Sequence, residues 1–183
     1  VMSAALVAPA TWAGLDPKID SVGVYFDTSG NINSISEPMF TPYDAYLLVA
    51  NPSAAVDGFE CAATRSGAPY FVLATTLEGG GIDEDPAADV YRVQCPTPYP
   101  VANGAIVAVH WRLMQQASTP LFFYVAPTDP PSLPGALPVL RNGGALRQGR
   151  IMSGSPLVPG ACVNYWCFAV ESSTFGAVKS LFR

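Results

Sequence analysis

Three groups of residues in this chain have types and spacing that invite a chemical reading. His110 is the sole imidazole, and Arg112 follows it two positions on. A general base of this kind needs a nucleophile beside it. The sequence offers no Gly-x-Ser-x-Gly elbow and no cysteine that spacing would pair with His110. A histidine alternating with an arginine along a strand reads instead as a surface residue. The second group, Asp83, Glu84, Asp85 and Asp89, follows Gly79-Gly80-Gly81. It has the oxygen ligands calcium takes but lacks EF-hand spacing, so a solvated acidic loop is the simpler expectation and calcium there stays open. The third group is Cys61, Cys95, Cys162 and Cys167. Zinc needs two close ligand pairs and finds at most one loose one. Disulfides fit better: Cys162 facing Cys167 across a tight hairpin tipped by Asn164 and Tyr165 leaves Cys61 to meet Cys95. That second bridge would be worth roughly 3–4 kcal/mol in the chain-entropy model. No catalytic, cofactor-binding or metal-ligating residue is assigned, and the expectation is a protein that is not an enzyme.

Disulfides also suggest a compartment. Four cysteines, few lysines and no cytosolic redox motif suit an oxidising, extracellular setting. Charged residues are only 13% of the chain while apolar residues are 50%, too little charge to cover the surface, which points toward apolar patches or covering partners. With nine Lys and Arg and a net charge of -5 there is no basic stripe, so nucleic acid is not an expected partner.

The elements that must position these groups read as strands. Gly104 to Met114 is the longest candidate: strict alternation puts Ala105, Val107, Val109, Trp111 and Leu113 on one apolar face, with Ile106, Ala108, His110, Arg112 and Met114 on the other. Val22 to Phe26 alternates and ends in Thr28-Ser29-Gly30-Asn31. Asp44 to Ala50 is apolar on both faces, as in a central strand. Phe59, Cys61 and Ala63 share a face. Tyr70 to Leu77, Val90 to Cys95 and Leu121 to Val125 complete the set, each closed by turn residues. Residues 127–160 carry seven prolines, and the expectation there is edge strands and an extended wrap over one sheet. The fold class is therefore all-β, a single antiparallel β-sandwich spanning 15–183. Two ends stand apart. Residues 1–14 (VMSAALVAPATWAG) read either as the remnant of a secretory signal or as an apolar assembly arm led by Val1, Met2, Leu6 and Val7, too short to span a membrane. The tail 171–183 could line Phe175, Val178, Leu181 and Phe182 along one face of a short helix.

The buried strand ending in Asn51, the turn Val56-Asp57-Gly58-Phe59 and the Gly-led strand from Gly104 to Leu113 together resemble the cohesin-type β-sandwich modules of secreted bacterial proteins, over roughly residues 20–126. The tail Phe175-Gly176-x-Val178-Lys179-x-Leu181-Phe182-Arg183 resembles an ending seen on secreted proteins of environmental bacteria. The resemblance implies a β-sandwich used for protein binding or extracellular architecture. The four cysteines and the proline-rich half depart from the cohesin pattern, so dockerin binding is not carried over. The functional expectation is an extracellular structural subunit that self-associates into a filament or surface array by strand addition or arm exchange. The alternative is a non-catalytic module binding a cell-surface protein or a glycan.

Overall fold

The computed structural model describes residues 11–12, 14–85 and 87–167, and apart from one 3-10 turn at Glu78–Gly80 these are all-β. In chain order the strands are β1 (Thr11–Trp12), β2 (Ser21–Tyr25), β3 (Ile32–Ile35), β4 (Pro42–Ala50), β5 (Gly58–Gly67), β6 (Tyr70–Leu77), β7 (Ile82–Asp83), β8 (Val90–Gln94), β9 (Ala105–Gln115), β10 (Leu121–Ala126), β11 (Val139–Asn142), β12 (Ala145–Gln148), β13 (Arg150–Ile151) and β14 (Ala161–Val163). They form two sheets. One runs β1-β3-β14-β10-β5, with β11 and then β12 continuing along the β10 side of β5, and β8 and then β7 on its other side. The second runs β13-β2-β4-β9-β6.

One core serves both sheets. Leu47, Trp111 and Leu113 from the second sheet bury with Phe59, Cys61 and Phe123 from the first. Gly58 opens β5 because a Cβ there would collide with the carbonyl of Val93 on β8, so only glycine lets the strands approach. The doubly apolar β4 is central, between β2 and β9, as its sequence requires.

Three expectations need correction. The sheets are mixed, because β13 runs parallel to β2 and β14 parallel to β3. Both added strands return over long connections that re-enter in the same direction, which no local pattern reveals. The alternation assigned to β9 also fails in its first half. Leu47 pairs with Val109 and Leu48 with Val107, leaving Ala108 as an extra, bulged residue. Ile106, Ala108, Val109, Trp111 and Leu113 therefore face the core, while Ala105 and Val107 turn to the opposite face and pack with Tyr25, Leu48, Leu15 and Met152. Finally, the proline-rich segment supplies the expected edge strands, β12 and β13, but is not confined to one sheet: it extends the first with β11 and β12 and edges the second with β13.

A charged clamp joins the start of β2 to β12. Asp20, in the left-handed region at φ 56°, accepts hydrogen bonds from Ser53 N (2.9 Å) and from Arg147 Nε (3.2 Å) and Nη2 (3.1 Å). Arg147 also donates to the carbonyls of Ala54 and Ala55. Burial raises the Asp20 pKa, but the hydrogen bonds from Arg147 and Ser53 outweigh it and hold the carboxyl below its ordinary value. A group depressed in the folded state stabilises fully above its unfolded pKa, about 3.9, and that stability is lost as pH falls through the folded value. Asp20→Asn is expected to lower stability at pH 7 by about 1–3 kcal/mol. Its urea midpoint should converge with that of the unaltered chain as pH drops below about 4, and parallel pH profiles would count against the clamp.

Candidate functional site

The feature that sets this molecule apart is an open sheet edge. β6 has eight residues, Tyr70-Phe71-Val72-Leu73-Ala74-Thr75-Thr76-Leu77, with neither charge nor proline. It pairs antiparallel with β9 along one side and, among the described residues, with nothing along the other. The remaining outer strands are short, β1, β7 and β13 having two residues and β12 four, and Asp83, Arg147 and Arg150 put charge on three of them. Short length and charge are how sheets discourage pairing with other chains, and β6 has neither. Phe71, Val72 and Leu73 are 48%, 46% and 47% exposed.

Register gives each side chain its face. Phe71, Ala74 and Thr76 lie opposite Met114, Arg112 and His110, on the outer face. Tyr70, Val72, Thr75 and Leu77 lie opposite Gln115, Leu113, Trp111 and Val109, on the core side. Leu73 is the extra residue of a bulge. Tyr70 and Leu77 pack against the core, but Val72 and Thr75 between them remain exposed, so the gap between the sheets is open along the middle of β6. On the β4 side of β9, Phe40 is 58% exposed and held at φ 60°, a left-handed conformation costly for a bulky residue. Its N–H donates to the Gln115 carbonyl at the end of β9.

Behind β6 lies a buried cation. The side chain of Arg65 is 1% exposed, and its Nη1 donates to Asp89 Oδ1 at 2.6 Å. The guanidinium stacks 4.7 Å from the ring centre of Trp111 and 5.7 Å from those of Tyr70 and Phe123, so it ties β5 to β6, β9 and β10. Trp111 Nε1 donates to Tyr91 Oη at 2.8 Å, joining β9 to β8 across the core. Arg65 Nε and Nη2 are buried without a hydrogen-bond partner among the described residues, as is the Tyr43 hydroxyl. At the β5–β6 corner the chain changes sheets through Gly67, at φ 112°, where a Cβ would strike the Pro120 carbonyl.

The residues singled out from sequence fall elsewhere. His110 lies on the outer face, stacked on Tyr46 with centroids 4.8 Å apart, and its Nε2 is 2.9 Å from Asp44 Oδ1. Arg112 reaches the same carboxylate at 3.5 Å. Of the acidic loop, Asp85 is engaged by Arg92 Nε and Asp89 by Arg65, while Asp83 accepts the N–H groups of Asp85 and Arg92. Among the described residues no group of three potential metal ligands comes together. Cys162 and Cys167 form a disulfide with Cα atoms 5.5 Å apart. The loop between them is clamped by Asn164, whose Oδ1 accepts from Glu37 N and whose Nδ2 donates to Glu37 O. The Cys61–Cys95 bridge is corrected: both are buried free thiols. Cys61 is opposite Tyr91, and the Cys95 N–H bonds the Asp57 carbonyl. They are thus four residues apart along the ladder, about 13 Å, beyond the roughly 7 Å a disulfide spans. Burial pushes both thiols up, the state of inert structural cysteines. Val1, Met2, Leu6 and Val7, and Phe175, Val178, Leu181 and Phe182, lie outside the described residues.

Comparison with protein-family models, with curated proteins and with solved structures returns no match. Among the described residues no helix is long and apolar enough to cross a membrane.

Sequence reasoning found β6 as a strand and missed it as an edge. Arg65 was also missed, although it continues the core phase of Phe59, Cys61 and Ala63 at steps of two. The Arg65–Asp89 pair generates an asymmetric expectation. Asp89→Ala strands a buried cation and should cost about 3–5 kcal/mol in urea denaturation. Arg65→Met keeps most of the packing, leaves the partly exposed Asp89 to water, and should cost under about 1.5 kcal/mol. The reverse order would contradict this placement.

Proposed function

We propose that this chain is a secreted structural protein, a β-sandwich subunit that self-associates into a filament or surface array by strand addition. The observation that carries this reading is β6, eight uncharged residues at an open edge with three large apolar side chains near half exposure. A backbone row of free donors and acceptors is a template for another strand, and main-chain pairing supplies affinity whatever the side chains. Low charge over the whole chain supports the same reading, and the Cys162–Cys167 disulfide supports an oxidising compartment.

A filament needs two contacts per subunit. The edge of β6 is one. The apolar segment 1–10 is the candidate for the other: it precedes β1, which ends the first sheet beyond β3, whereas β6 ends the second sheet beyond β9. Two contacts at different sheet ends let subunits add without closing a ring.

Leu73→Lys puts a charge on the edge without touching the buried core. It should leave stability within about 0.5 kcal/mol while converting assemblies to monomer in sedimentation velocity. Deleting residues 1–13 should stop growth at small oligomers under electron microscopy. An intact chain that stays monomeric at high concentration would sink the proposal.

A further inference from the structure

We infer that the strand received by β6 is β6 of a second copy, antiparallel and centred between Leu73 and Ala74, so that the elementary assembly unit is a two-fold dimer with one continuous ten-stranded sheet. This rests on the reading of β6 as the assembly edge.

Register makes β6 complementary to itself. In an antiparallel pair, residues directly opposite one another share a face and share the direction of their backbone groups. An eight-residue strand with strict alternation and this centre would set outward residues against inward ones. β6 does not alternate strictly, because the bulge at Leu73 reverses the phase halfway along. Before the bulge Phe71 is outward and Tyr70 and Val72 inward. After it Ala74 and Thr76 are outward and Thr75 and Leu77 inward. Turned about a two-fold axis between Leu73 and Ala74, β6 places Phe71 opposite Thr76 on the outer face. Val72 then meets Thr75, and Tyr70 meets Leu77, on the core side. Leu73 meets Ala74 at the axis. Every pair outside the bulge matches in face, and the overlap uses the whole strand. A shift by one residue in either direction breaks that match for Phe71 and Val72.

The chemistry of the pairs agrees. No like charges oppose one another, because β6 has no charge. Val72 and Thr75, the core-side residues left exposed at the open gap, would cover their counterparts from the second copy and continue the core from one subunit into the next. Phe71 would lie against the methyl-bearing Thr76, an aromatic with β-branched pairing that favours strand association.

The test is cross-linking by register in the full chain. Phe71→Cys and Thr76→Cys are both exposed changes, and the native free thiols Cys61 and Cys95 are buried. Under a mild oxidant, a mixture of the two variants should give an interchain disulfide at least five-fold more abundant than either variant alone. In a single variant the two introduced cysteines lie five residues apart along the ladder, about 17 Å. Equal cross-linking in the single variants and the mixture would overturn the register. If Leu73→Lys dissociates the assemblies but the mixture gives no cross-link, pairing with a second β6 is overturned while the assembly edge survives, its occupant then being another strand such as residues 1–13. If Leu73→Lys leaves association unchanged, both readings fall.

Discussion

The two sheets meet through one shared apolar core, and at its corner the stacking of the Arg65 guanidinium on Trp111, with Asp89 as counter-ion, fixes how their strands sit against each other. It sits at the corner where the chain leaves the first sheet at the end of β5 and enters the second at β6. A cation in that position holds Tyr70, Trp111 and Phe123 around one point, and Trp111 in turn bonds Tyr91. A purely apolar corner would bury the same area but leave the relative position of the strands less defined. A cation with aromatic faces and one carboxylate accepts few alternative arrangements. The consequence for β6 is direct. Its first residue is fixed against the cation and its last packs on the core, while the residues between are left facing an open gap.

The legible part of this fold was the part that local pattern controls. β2, β4, β5, β6, β8, β9 and β10 all occur within a few residues of where alternation and turn chemistry put them. The apolar character of β4 on both faces correctly implied a central strand. What local pattern does not control was missed. Ala108 and Leu73 each add one residue to a strand and reverse its faces, and a bulge is defined by the partner strand, not by its own sequence. The Cys61–Cys95 bridge followed from having four cysteines and one obvious pair, whereas the ladder between β5 and β8 sets the two thiols at different heights.

The candidate site was less legible than the fold for the same reason. Tyr70 to Leu77 looks in sequence like any buried strand, since threonine, valine and leucine suit both settings. That it ends a sheet is a fact of topology: the chain passes from β6 into Glu78–Gly80 and then to the other sheet. The polar residues that first invite a chemical reading are engaged by neighbouring side chains. His110 and Arg112 share Asp44 on the outer face, and Arg65 and Arg92 take Asp89 and Asp85.

What distinguishes the described residues physically is thus a long edge with neither charge nor proline, where the other outer strands are short and three of the four carry charge. Free backbone groups on such an edge bond water in a monomer and another strand in an assembly, and amide exchange reads that difference residue by residue. Hydrogen–deuterium exchange of the peptide covering Tyr70–Leu77, followed over increasing protein concentration, addresses the claim most directly. The account predicts that these amides gain protection as concentration rises while those of β9, already paired on both sides, do not change. Exchange in Tyr70–Leu77 that is rapid and independent of concentration, in samples that nonetheless assemble, would contradict it.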